Sequence, residues 1–322
     1  WQSGATVSRP MAPLGLSALS SLLRRRPHPE SWSTPQASWS RAFGLGWRDP
    51  YSVRYASNLD DGPWHGMPLG GFGAGCIGRS SRGDFNLWHL DGGEHWYGTI
   101  PDCQFAIWES DGTSTRAHAL ATAPDRDDSR VDGEDPLAAW QWYPASTNDS
   151  TTGTYAARYP LSWTSYSGLF AAEVSCEAFS PILPGDYQRS SYPVAVFRWT
   201  LRNPTNRPLQ LSLLLSWRNT VGWFTNTDPS AEVHFRDDGS PEHNYAPAIG
   251  AGEGQSNRWV DQPGLKGVLL DGRRSQPLAE GEGQWCLALP DNLEDVEVMR
   301  CSRWDPTGDG AELWQSFAAE GL

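Results

Sequence analysis

Two runs of alternating apolar residues restrict what this chain can fold into more than any other feature. Ala195, Phe197, Trp199 and Leu201 fall on one side of an extended segment, 193–202, and Leu209, Leu211, Leu213 and Leu215 on one side of another, 209–216. Asn203-Pro204-Thr205-Asn206-Arg207-Pro208 between them is a turn, so the two runs read as a hairpin. Further strand-like runs lie at 84–90, 103–109, 155–161, 169–179, 267–271 and 283–289, with Ser110-Asp111-Gly112-Thr113 as a hairpin-type turn. Many short strands between Gly, Pro and Asn breaks imply an all-β fold, a large antiparallel β-sandwich. Residues 122–134 read as an acidic surface loop. The long section 220–264 has little hydrophobic period and reads as a functional or interfacial loop. Trp314, Phe317 and Leu322 recur at helical intervals, which suggests a helix entering a second domain. The expected organisation is therefore an N-terminal arm with wrapping loops over 1–58, the sandwich over 59–310, and a linker or first helix over 311–322. Both ends read as cuts through a longer polypeptide.

The least ordinary stretch is Met67-Pro68-Leu69-Gly70-Gly71-Phe72-Gly73-Ala74-Gly75-Cys76-Ile77-Gly78-Arg79. Gly73-Ala74-Gly75-Cys76-Ile77-Gly78 fits the G-x-G-x-x-G spacing of a dinucleotide loop, but no helical period opens at Ile77 and Arg82-Gly83-Asp84 starts a turn instead. The glycines are better explained as places of close backbone approach or positive φ, against a second sheet or a neighbouring domain. Gly71, Gly73 and Gly75 are thus interface candidates, with Arg79, Arg82 and Asp84 as a fixed polar cluster in which Asp84 pairs with an arginine.

A net charge of −13 argues against nucleic acid and anionic lipid as partners. No apolar run reaches membrane-spanning length. Cys76, Cys103, Cys176, Cys286 and Cys301 are dispersed and form no C-x-x-C pair, so reduced core thiols in a cytoplasmic protein are expected. No cofactor motif and no metal site stands out. His89 and His95 with Asp91 and Glu94, or His234 and His243 around Asp237, Asp238 and Glu242, lack a recognised ligand spacing. Charged turns explain them better. Nothing resembles a nucleophilic serine elbow. Asp84, Asp91, Glu94, Asp102 and Glu109 are the carboxylates nearest glycine-rich or aromatic elements, yet none forms a convincing acid/base pair. Among the 18 tryptophans, Trp88, Trp96 and Trp223 are the candidates for stacking on sugar, the rest being core or domain interface.

The run from Gly71 to Arg79 followed by Arg82-Gly83-Asp84-Phe85 resembles the N-terminal portion of glycoside hydrolase family 116, whose animal members are the non-lysosomal glucosylceramidases. So do Phe179-Ser180-Pro181-Ile182-Leu183-Pro184-Gly185-Asp186-Tyr187, the stretch from Ser190 to Phe197, Trp199-Thr200-Leu201-Arg202-Asn203-Pro204-Thr205, and Ser216-Trp217-Arg218-Asn219. Phe72 stands where relatives often carry Ile, and Asn86-Leu87 where they carry Arg or Thr-Arg. The resemblance implies an N-terminal β-sandwich joined to a C-terminal (α/α)6 barrel. It also implies retaining hydrolysis of a β-glucoside or a glucosylceramide-like substrate, with the catalytic Glu and Asp in the barrel. On this reading the chain holds no catalytic residue, its partner is the barrel of the same protein, and its role is to steady the barrel's active-site loops. A carbohydrate-binding module and a purely structural or interaction sandwich are the alternatives.

Overall fold

The computed structural model describes residues 38–45, 66–90, 96–124, 137–223, 233–235, 238–239, 241–243, 254–273, 275–277, 282–293, 296–301, 304–306 and 308–322. These residues are predominantly antiparallel β-structure arranged in several sheets, as an all-β sandwich requires. One sheet has five strands: β1 (Trp39–Ala42), β8 (Gly153–Arg158), β9 (Leu161–Tyr166), β10 (Glu173–Phe179) and β11 (Val196–Arg202), in that order. Facing it is a three-stranded sheet in the order β12 (Gln210–Ser216), β6 (Gln104–Ser110), β7 (Thr115–Ala119). A four-stranded meander of β2 (Met67–Leu69), β3 (Cys76–Arg79), β4 (Phe85–His89) and β5 (Trp96–Tyr97) packs into the same core. The remaining strands form a pair, β13 (Val233–Phe235) with β14 (Pro241–His243), and a meander of β15 (Ser256–Gln262), β16 (Leu265–Asp271) and β17 (Gln284–Leu289). The section 220–264, expected to be loop, therefore contains β13, β14 and β15.

The two alternating runs are both strands, but they do not form a hairpin. β11 pairs with β10, whereas β12 pairs with β6 from Gln210↔Ser110 to Ser216↔Gln104. Residues 203–209 therefore carry the chain from one sheet to the other. Alternation fixes the inward face of each strand and says nothing about its neighbour. A core strand can reverse direction into the facing sheet as readily as beside itself. Phe197, Trp199, Leu201, Leu211 and Leu215 accordingly meet Phe105, Tyr155 and Val174 across one aromatic-rich core.

Strand β6 is buried along its whole length. Its odd residues, Phe105 and Ile107, enter the sandwich core, while Ala106 and Trp108 enter a second core on the outer side. That outer core is closed by Leu137, Trp140 and the helix α2 (Ala311–Glu320) through Leu313, Trp314 and Phe317. Trp140 stacks on Trp314 at 5.1 Å, and the Trp108 indole donates to the Ala318 carbonyl at 3.1 Å. The terminal period was helical as expected, but its apolar side folds back onto this domain. Within the span expected to be an arm, β1 pairs with β8, and Phe43 is fully buried.

His118 on β7 packs edge-on against Tyr143 and Phe170, with its Nδ1 3.4 Å from the Trp142 carbonyl oxygen. Burial, seconded by Arg116, depresses its pKa below 6.5. The unfolded chain then binds the extra proton first, so stability is intact above pH 6.5 and falls as pH drops from there toward the folded pKa. The ring is partly solvated, which keeps the slope well below the roughly 1.4 kcal/mol per pH unit that one proton allows. Urea unfolding from pH 7.5 to 5 should show this slope, and His118→Gln should flatten it.

Candidate functional site

The glycine run forms the β2–β3 loop and the start of β3. No helix follows it, in agreement with the rejected dinucleotide reading. The loop is clipped to the rest of the domain by backbone groups. Gly70 N–H donates to Ser180 Oγ at 2.7 Å, Phe72 N–H to the Ser190 carbonyl at 2.9 Å, and Met67 N–H to the Tyr155 hydroxyl at 3.0 Å. Ser190 ends the short helix α1 (Tyr187–Ser190), whose cap is Asp186. The Asp186 carboxylate accepts from the Arg189 N–H at 2.9 Å and pairs with the Arg189 guanidinium, contacts that hold its pKa below the usual carboxylate value. Ser190 itself is buried and its hydroxyl bridges the Leu183 N–H and carbonyl.

Close backbone approach explains two of the glycines, one against the end of α1 and one against β4, and separates them from a third. A Cβ on Gly71 would lie on the Ser191 carbonyl, 2.5 Å from its oxygen and 2.6 Å from the Tyr192 oxygen. One on Gly75, which has φ +78°, would sit 2.5 Å from the His89 oxygen. Gly73 also has positive φ, but nothing lies within 4 Å of where its Cβ would be. Gly71→Ala should therefore cost about 2 kcal/mol through forced separation of the loop from α1. Gly73→Asn should stay within about 0.5 kcal/mol, because Asn tolerates the left-handed region. Urea midpoints of the two variants check the contrast, and equal losses would refute the close-approach account.

The loop and α1 present large aromatic surface. Phe72 is 51 % exposed and Tyr187 79 %, and Tyr159 at the β8–β9 turn is 53 % exposed beside Cys76. Burial pushes the Cys76 thiol up to about 11, so it is no nucleophile at neutral pH.

Arg79, Arg82 and Asp84 lie at the other end of β3, and no ion pair joins them. Arg79 runs into the core, where it donates to the Leu120 carbonyl at 2.7 Å and the Tyr166 hydroxyl at 2.8 Å. Its guanidinium lies 5.5 Å from both the Phe105 and the Trp199 ring centres. Asp84 accepts from the Ser80 hydroxyl and, at 2.6 Å, from the Thr99 hydroxyl. Arg82 donates to Thr122 Oγ1 and the Ala123 carbonyl, each at 3.0 Å. The expected single cluster is thus a set of separate pins: Arg79 and Arg82 tie the end of β3 and the turn after it to residues 120–123, and Asp84 ties that turn to Thr99.

The three sugar-stacking candidates are core residues. Trp88 is fully buried with its indole donating to the Gly98 carbonyl at 2.9 Å, and Trp96 and Trp223 are 7 % and 3 % exposed. Trp88 packs on Trp96 and Trp217, and Trp223 lies under the Arg218 guanidinium. None offers a free ring face to a sugar. Of the carboxylates, Asp102 is paired with Arg218 at 2.6 Å, and Glu109 accepts the Ala171 and Ala172 N–H groups at 2.9 and 2.8 Å. Asp91, Glu94, His95 and Asp237 lie outside the described residues. Among the described residues no three His, Cys, Asp or Glu side chains converge as metal ligands, and no helix is long and apolar enough to cross a membrane. No disulfide joins the five cysteines; Cys103 and Cys176 are core thiols as expected, but Cys286 and Cys301 are exposed. An open cleft of about 570 Å³ is lined by Trp304, Asp305, Pro306 and Glu312. Sequence reading passed over α1, Tyr159 and the Asp102–Arg218 pair. The spacing Asp186-x-x-Arg189, a side-chain acceptor three residues before its donor, was the available signal for the first.

Residues 66–322 match the family model described as beta-glucosidase 2, glycosyl-hydrolase family 116 N-term. That match begins one residue before β2 and takes in the glycine loop, α1, every later strand and α2. The chain belongs to glycoside hydrolase family 116 and carries its N-terminal domain.

Proposed function

We propose that this domain supports the catalytic (α/α)6 barrel of a retaining β-glucosidase acting on a β-glucoside or a glucosylceramide-like lipid, and is inactive alone. The observation that carries this reading is the family match joined to the exposed rings of Phe72 on the glycine loop and Tyr187 on α1, two elements that a backbone hydrogen bond from Phe72 to Ser190 ties together. A rigid support matters because an ångström of misplacement at a catalytic group can cost about 10²-fold in rate. The proposed boundaries are an arm with wrapping loops over 1–58 that lends β1 to the sandwich, the sandwich over 59–310, and from 311 a helix that packs back on the sandwich before the connection to the barrel. Five cysteines with no disulfide among them favour a reducing compartment, and we place the protein in the cytoplasm. The test is hydrolysis of an aryl β-glucoside by this chain, alone and fused to a family barrel. Turnover is expected from the fusion only, falling at least tenfold when Phe72 and Tyr187 are both changed to Ser. Enzyme-like turnover by the chain alone would overturn the assignment.

The cleft at Trp304 favours a second reading, a carbohydrate-binding module, since an indole flanked by Asp305 and Glu312 suits a sugar ring and its hydroxyls. Glucoside titration followed by tryptophan fluorescence separates the two. A saturable change abolished by Trp304→Ala supports the module.

A further inference from the structure

The two facing sheets end, on either side of the 203–209 connection, in strands with one hydrogen-bonded neighbour each among the described residues. β11 is bonded to β10, and β12 to β6. These two edges are chemically unlike. β11 carries Arg198 and Arg202, held by Glu177 at 2.8 Å and Glu173 at 2.6 Å, so an added copy of β11 would bring like charges to the seam. β12 reads Gln210-Leu211-Ser212-Leu213-Leu214-Leu215-Ser216, with no charge, no proline and an unbroken register on β6. Leu213 is 38 % exposed although its register partner Ile107 is fully buried. Among the described residues, the core-side position at the middle of this strand is therefore open to solvent, between the half-buried Leu211 and Leu215.

The composition of β12 also decides what can cover it. Turned antiparallel to itself about Leu213, the strand sets Leu211 against Leu215, Ser212 against Leu214 and Leu213 against its own copy. No charge is opposed and every core-side position meets a leucine. Such pairing uses the single β12 edge of each chain, so it closes at two copies and does not propagate.

We propose that two copies of this chain associate through antiparallel β12–β12 pairing about a twofold axis at Leu213, which joins two three-stranded sheets into one continuous sheet. The inference does not depend on the barrel reading. Sedimentation equilibrium of the 322-residue chain under reducing conditions should show a reversible monomer–dimer equilibrium. Leu213→Lys, at a site already open to solvent, should raise the dimer dissociation constant at least tenfold, whereas Thr200→Lys on β11 should leave it unchanged. A readout that needs no variant is hydrogen exchange: β12 amides should become more protected as protein concentration rises, and β11 amides should not. A monomer at all concentrations, a dimer indifferent to Leu213→Lys, open-ended association, or concentration-independent exchange in β12 would each overturn the proposal.

Discussion

Replacing Arg218 by methionine is expected to destabilise this domain by about 3–5 kcal/mol, because it leaves the Asp102 carboxylate buried without its cation. Asp102 is 2 % exposed, its Oδ2 lies 2.6 Å from Arg218 Nε, and the guanidinium also covers the Trp223 ring. Burial raises the Asp102 pKa and Arg218 opposes the rise, so removing Arg218 drives the pKa up further. A carboxyl whose folded pKa exceeds its unfolded one gives a stability contribution that is present at low pH and lost as pH rises through the folded value. The deficit of Arg218→Met should accordingly be largest near neutrality and shrink as the buffer is acidified toward the unfolded carboxyl pKa of about 3.9. Asp102→Leu added to Arg218→Met should recover much of the loss, since a well-packed apolar pair can replace a buried ion pair. Urea titrations of the three proteins at two pH values decide it. A deficit equal at both pH values, or no recovery in the double variant, would rule out the buried-charge account.

Trp88→Ala should cost about 3–5 kcal/mol, the range for emptying a buried indole site. The ring is fully buried, touches Phe85, Trp96 and Trp217, and uses its one polar atom on the Gly98 carbonyl. The same substitution discriminates between a structural and a sugar-stacking tryptophan. A stacking residue would lose ligand affinity while the thermal midpoint stayed in place. For Trp88 the midpoint should fall by several degrees, and any glucoside response of the folded protein should be untouched. Trp88→Phe, which keeps most of the packing and drops the hydrogen bond, should retain over half of the lost stability.

How much of this was legible in the sequence depended on whether a residue's role is local. Strands β4, β11 and β12 were readable because period two survives in their residues, β6 because a strand-length apolar run ends at the 110–113 turn, and α2 because Leu313, Trp314 and Phe317 keep a helical spacing. β15 was missed: Ser256-Asn257-Arg258-Trp259-Val260-Asp261-Gln262 is polar at most positions, since much of that strand faces water. β3 was hidden by glycines that carry no hydropathy signal. Pairing was readable across the tight turn at 110–113, which joins β6 to β7, but not at 203–209, because one sequence of strand faces admits several neighbours. At the site, close backbone approach could be inferred for Gly71 and Gly75, but the Ser191 and His89 carbonyls they approach are brought there only by the tertiary fold. Arg79, Arg82 and Asp84 carried opposite charges near one another in sequence, which favoured an ion pair. The fold instead offered carbonyls and hydroxyls at shorter reach.

Strand β6 forms the common wall of two apolar interiors, with Phe105 and Ile107 on one side and Ala106 and Trp108 on the other. Neither interior can open without stripping contacts from that backbone, so the outer helix and the sandwich are bound into a single cooperative unit.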